Sequence, residues 1–254
     1  MVKAIRLALT INLQYRNQMN KIPILSANLL VIVIAIAFVA TSCKKNSEND
    51  DPSEVTDADG NVYSTVTIGN QPWFAEDLKT TKYRNGDPIG TTNPADKDIS
   101  GESSPKYQWA YEGIESNVAI YGRLYTWYAA TDSRSLCPAG WHVPTDADWS
   151  TLITSLGGDA HAFIKMKEAN FTYWMAGGMV TATNESGFTA RPGGYRMEKF
   201  GFGGKGIQGA WWSATEYSSS AAWYRQMIFN IEFVQRNFQS FTKKEGLSVR
   251  CVKD

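Results

Sequence analysis

The sequence predicts an α+β domain carried behind an export segment, and three observations lead there. Residues 62–68, Val-Tyr-Ser-Thr-Val-Thr-Ile, alternate in β-branched and aromatic residues, the period-two pattern of a strand. Trp149, Leu152, Ile153 and Leu156 recur at helical spacing behind Thr145, which marks an amphipathic helix with a capping residue at its start. Beyond residue 191 the chain is rich in glycine and aromatic residues and reads as loops and strands.

The N-terminal segment explains where such a domain goes. Residues 1–42 hold Lys3, Arg6, Arg16 and Lys21 and no acid, and the unbroken apolar run 29–40 precedes Thr41-Ser42-Cys43. A basic flank, an apolar core and small residues before a cut describe a secretory signal peptide. The run has twelve residues, short of the roughly 20 that cross a bilayer as a helix. A start at Met19 would give a leader of more usual length. Ala40-Thr41-Ser42-Cys43 resembles the lipobox of bacterial lipoproteins, with alanine where leucine is usual. The resemblance implies cleavage before Cys43, lipidation of its thiol, and a place on the outer membrane facing the periplasm or the cell exterior.

Cleavage there leaves 212 residues and turns a balance of 25 basic and 25 acidic residues into a net charge of about −4. No basic surplus remains to suit nucleic acid, and the expected membrane partnership runs through the lipid. Residues 44–54 are polar and without an apolar anchor, the composition of a disordered tether, expected over 43–56. Their acidic stretch also resembles the signal that sends some Bacteroidetes lipoproteins to the cell surface; a solvated spacer is the alternative reading.

Residues 57–254 read as one domain, long enough for one sizeable core. Asp57-Ala58-Asp59-Gly60-Asn61 is a turn into the strand 62–68, with Gly69-Asn70 leaving it. It does not fit a calcium-binding EF-hand loop, because Gly60 comes too early and Ile68 stands where the twelfth-position Glu belongs. The helix capped by Thr145, with Asp148 three residues on, stops at Gly157-Gly158. A shorter helix is expected over 160–167 with Phe163 and Met166 inward. Gly203-Gly204-Lys205-Gly206 lacks the spacing and the Ser/Thr of a phosphate loop, so its glycines are turn residues.

Catalytic chemistry is thin. His142 and His161 are the two histidines and no Gly-x-Ser-x-Gly elbow occurs. We expect no catalytic residues, no metal and no cofactor, although the 25 acidic residues leave a glycosidase pair of carboxylates open. His142 is expected to hydrogen-bond structurally and His161 to lie on an exposed helix face.

Six blocks in order resemble the Fibrobacter succinogenes major paralogous domain. They are Asp59-Gly60-Asn61-Val62-Tyr63 with Ile68-Gly69-Asn70-Gln71-Pro72-Trp73; Tyr121-Gly122-Arg123-Leu124-Tyr125-Thr126-Trp127; Cys137-Pro138-Ala139-Gly140-Trp141-His142-Val143-Pro144 with Trp149; Asn184-Glu185-Ser186-Gly187-Phe188; Trp212-Ser213-Ala214-Thr215-Glu216; and Gly246-Leu247-Ser248-Val249-Arg250-Cys251-Val252. That family is similar to the C-type-lectin-like superfamily, which implies two helices, small antiparallel sheets and a long loop-rich region. It also implies a disulfide from Cys137, before the first helix, to Cys251 on the last strand. Formylglycine-generating enzymes share the superfamily but need a reactive cysteine pair, and a structural bridge would occupy both domain cysteines. Calcium-dependent sugar binding is not expected, because Trp212-Ser213-Ala214 stands where calcium-binding lectins carry a Trp-Asn-Asp type motif.

Binding is therefore the expected function, toward a glycan or a surface protein, with a structural envelope component as the alternative. The candidate ligand residues are Glu216, Tyr217, Trp223, Tyr224, Arg225, Asn230, Arg236 and Asn237, upstream of the last strand where lectin-like folds commonly place their ligand face. Tyr, Ser, Asn, Trp and Arg on loops are the currency of paratopes. Trp212 is assigned to the core, and Trp211 and Trp223 are open to the same role.

Overall fold

The computed structural model describes residues 54–177 and 181–254. The signal peptide, the lipobox with Cys43 and most of the tether lie outside the described residues. Among those described, no helix is long and apolar enough to cross a membrane.

The chain enters the fold through a small hairpin, β1 (Val55–Thr56) and β2 (Val62–Tyr63), closed by the expected acidic turn. Asp57 Oδ1 accepts from the amides of Asp59 and Asn61, at 2.9 and 3.0 Å, and Asp57 Oδ2 accepts from the Tyr63 hydroxyl at 2.6 Å. This is an Asx turn that spends the carboxylate on the loop itself. The strand expected over 62–68 breaks at Ser64 and continues as β3 (Thr65–Ile68), which pairs with β4 (Gln71–Phe74). Gly69 takes φ +62 at the first turn position, as a two-residue hairpin of the mirror-image type requires.

That hairpin belongs to a four-stranded sheet, ordered β3-β4-β14-β7, with β7 (Trp141–His142) and the C-terminal β14 (Val252–Lys253). Val252 pairs with Trp73 on one side and His142 on the other. The Cys137–Cys251 disulfide sits beside this seam, with Cα atoms 5.9 Å apart. Here the pairing implied by the family resemblance is found.

An eight-stranded sheet dominates the rest. Its strands are β5 (Gln108–Trp109), β6 (Leu124–Thr126), β8 (Gly193–Met197), β9 (Gly201–Lys205), β10 (Gln208–Glu216), β11 (Ala222–Ile228), β12 (Ile231–Asn237) and β13 (Gly246–Leu247). The order is β12-β11-β10-β8-β13-β6-β5, with β9 paired to β8. Two short helical turns, α1 (Val118–Tyr121) and α2 (Trp127–Ala130), flank β6. The longer helices are α3 (Asp146–Ser155) and α4 (Asp159–Met166).

The α+β, C-type-lectin-like expectation is thereby corrected. The two helices exist where expected, but fourteen strands in three sheets make the described residues a mainly-sheet fold. Two features of the chain account for the difference. The glycine-rich stretch 201–209 is strand for most of its length, and six of the fourteen strands are two residues long, too short to show a period.

Alternation along β10 organises the interior, since successive side chains of a strand point to opposite faces. Trp212 enters a core with Tyr125, Trp141, Tyr224 and Leu247, while Trp211 enters a second core with Trp149, Leu152, Phe163 and Phe188. Both indoles are anchored, Trp212 Nε1 to Tyr125 O at 2.7 Å and Trp211 Nε1 to Asp77 Oδ1 at 2.9 Å. Asp77 also accepts from Arg250 Nε at 2.8 Å, and the Arg250 guanidinium lies 3.8 Å from the centre of the Phe188 ring. Asp77 and Arg250 are 4 % and 1 % exposed. Removing either charge would strand the other in a low-dielectric interior, at a cost of about 3–5 kcal/mol.

Candidate functional site

The sequence-derived candidates lie on β10, β11, β12 and their connections, and strand geometry sorts them. Tyr224 points inward, fully buried, with its ring edge-on to Trp212 at 6.1 Å. It is a core residue and does not reach a ligand. Trp223 and Arg225 occupy the opposite face of β11, but Arg225 is covered and only Trp223 keeps exposure. Asn230 stands at the turn between β11 and β12, roughly 20 Å along the hairpin from Trp223 at the ordinary strand rise. It does not join the others. Asn237 Oδ1 accepts from the amides of Phe238 and Gln239, at 2.8 and 3.1 Å, and turns the chain out of β12. Glu216 pairs with Lys243 at 2.7 Å. Lys243 Nζ also donates to Ser219 O at 3.2 Å, so the pair pins the 217–221 loop.

What does assemble is an aromatic cluster. Tyr217, 49 % exposed, stacks on Phe238 with centroids 3.6 Å apart, and Trp223 stands edge-on to both at 5.1 and 4.9 Å. Phe238 was missed in the sequence. The signal for it was present, because Arg236 and Phe238 are two residues apart, and the period of a strand carries both to the face of Trp223.

Charge fixes the cluster from beneath. The Arg236 guanidinium lies 3.4 Å from the Trp223 ring centre and donates to Asp146 through Nε and Nη2, at 3.0 and 2.8 Å. Arg225 Nη1 reaches the same carboxylate at 2.7 Å. Asp146 opens α3, and it is brought here by an irregularity in β10. The β10–β11 register shifts between Trp212 and Glu216, a bulge that bends the strand. Within it Ala214 N donates to Pro144 O at 2.8 Å and Thr215 Oγ1 accepts from Asp146 N at 2.9 Å. Burial works to raise the Asp146 carboxyl, but hydrogen bonds from Arg236 and Arg225 outweigh it and hold it below the ordinary value.

His142 takes the expected structural role, with Nδ1 2.6 Å from Asp254 Oδ1 and Nε2 3.2 Å from Asp148 Oδ2. His161 is exposed on α4, its Nδ1 3.1 Å from Gly157 O. Among the described residues no group of three or more His, Cys, Asp or Glu side chains is placed to hold a metal ion.

No curated protein and no solved structure matches the chain. The family model of the Fibrobacter succinogenes major domain matches residues 66–253, from the β3–β4 hairpin through the disulfide seam to the last strand. With most of its length under that model, the chain belongs to the Fibrobacter succinogenes major domain family.

Proposed function

We propose that this protein is a non-catalytic binding module, exported and lipid-anchored through Cys43, that contacts a partner protein or glycan at the cell surface through Tyr217, Trp223 and Phe238. The observation that supports it is the aromatic cluster itself. Large apolar side chains at the surface, already held in one arrangement by Arg236 and Asp146, lose little entropy on binding and suit an interface centre. Tyr217 and Phe238 cover each other's faces, which favours an apolar protein contact over the open ring face that sugar stacking uses.

Binding of the purified full chain to intact cells and to a glycan array tests the reading. Trp223→Ala should weaken binding at least about tenfold, the scale of a truncated interface hot spot, with the thermal midpoint little changed. Equal binding by the wild type and by both Tyr217→Ala and Trp223→Ala would overturn the assignment. Intact-protein mass spectrometry tests the anchor, with a diacyl or triacyl mass expected on Cys43.

A further inference from the structure

A polar cleft lies at the other end of the large sheet. The aromatic cluster belongs to the β11–β12 edge, whereas β5 forms the opposite edge. There a cleft of about 470 Å³ opens between β5, the residues before β6 and the 91–95 loop, within the size range of small-molecule sites.

Its lining is polar and built. Arg123 and Gln108 are 8 % and 5 % exposed and both line the cleft. The guanidinium is held from three sides, with Nε donating to Lys79 O at 3.0 Å, Nη1 to Gln108 Oε1 at 3.0 Å, and both Nη atoms to the Glu115 carboxylate. Gln108 uses its oxygen in this way, and its side chain borders the cleft. Trp109 Nε1 donates to Thr92 Oγ1 at 2.9 Å, which ties β5 to the loop. Buried Arg196 stacks 4.2 Å from the Trp109 ring and donates to Ala95 O at 3.2 Å, so the loop wall is fixed before any ligand arrives.

The rim carries a conformational outlier. Glu112 has φ 58 and ψ 18 inside the short turn Tyr111–Gly113. The left-handed region disfavours a side chain of this kind and is free to glycine. A carboxylate held there at a conformational cost, beside a polar cleft, points toward binding.

We infer that this cleft binds a neutral, polyhydroxylated ligand the size of a mono- or disaccharide, with Glu112, Gln108 and Arg123 as its contacts. Charge and hydration select that class. Glu112 and Glu115 both line the cleft and the one guanidinium there is already paired with Glu115, which disfavours an anion. An apolar ligand would strip water from the Glu112 carboxylate without replacing its hydrogen bonds. Vicinal hydroxyls donate to carboxylates and accept from amide and guanidinium groups, satisfying both kinds.

Saturation-transfer NMR on the full chain in detergent micelles is the test. The probes are glucose, galactose, mannose, N-acetylglucosamine and cellobiose, with glucuronate and spermidine as charged comparisons. At least one neutral sugar should bind. Glu112→Gly should weaken it about tenfold, as loss of a charge-assisted hydrogen bond does, while the thermal midpoint holds or rises because the outlier is relieved. Gln108→Leu should weaken it as well, whereas Tyr217→Ala should leave it unchanged and so separates this site from the aromatic cluster. Binding of none of the neutral sugars, preference for spermidine or glucuronate, or sugar binding insensitive to both cleft variants would overturn the inference.

Discussion

Glu245 shows how one residue sets a pH dependence. It is 5 % exposed. Burial pushes its carboxyl up to about 7, against the donated Thr242 amide and with help from nearby Glu198. The unfolded chain releases this proton near 4.5 and the folded chain near 7. Stability from this group is therefore full below about 4.5, falls as pH rises toward 7, and then levels. Glu245→Gln should be more stable than the wild type at pH 8 by about 1–3 kcal/mol and should converge with it near pH 4.5. Urea melts across that range would show it, and parallel curves would refute it. Asp146 behaves oppositely, since its carboxyl lies below the ordinary value and its contribution is lost as pH falls through that lowered value. Residue identity alone did not separate Trp223 from Tyr224. Both are aromatic and adjacent, and the alternation of β11 sends one outward and the other into the core.

At the scale of elements, α3 was legible because its signals are local. Thr145 Oγ1 accepts from Asp148 N at 3.2 Å, and Asp148 Oδ2 accepts from Thr145 N at 2.8 Å, the reciprocal capping box that the spacing predicts. Gly157 and Gly158 leave the helix at φ +99 and +92. Thr145→Ala should cost about 1 kcal/mol, measured as a lowered unfolding midpoint, and an unchanged midpoint would show that tertiary contacts alone hold the start of α3. The short strands had no comparable signal. β5, β7, β13 and β14 are strands because distant chain lies beside them, and two residues in an extended conformation carry no pattern of their own.

For the molecule as a whole, the Cys137–Cys251 bridge closes a loop of 114 residues and ties the segment leading into β7 to the residue just before β14. Constraint of the unfolded chain predicts that Cys137→Ser with Cys251→Ser lowers stability by about 2–5 kcal/mol. Urea unfolding with and without reductant measures it; a wild type indifferent to reductant would contradict it. The sequence by itself determined what depends on neighbours in the chain: the acidic turn at Asp57, the β3–β4 hairpin, α3 with its cap and its stop, the place of α4, and the membership that the ordered motifs announced. Only the tertiary structure decided what depends on partners far along the chain. It set the dominance of one eight-stranded sheet, the division of Trp211 and Trp212 between two cores, the meeting of Tyr217, Trp223 and Phe238 over Arg236, and the cleft at β5. The reason is physical: caps and turns satisfy backbone groups within a few residues, whereas a strand is defined by hydrogen bonds to another strand, which no local pattern of two residues records.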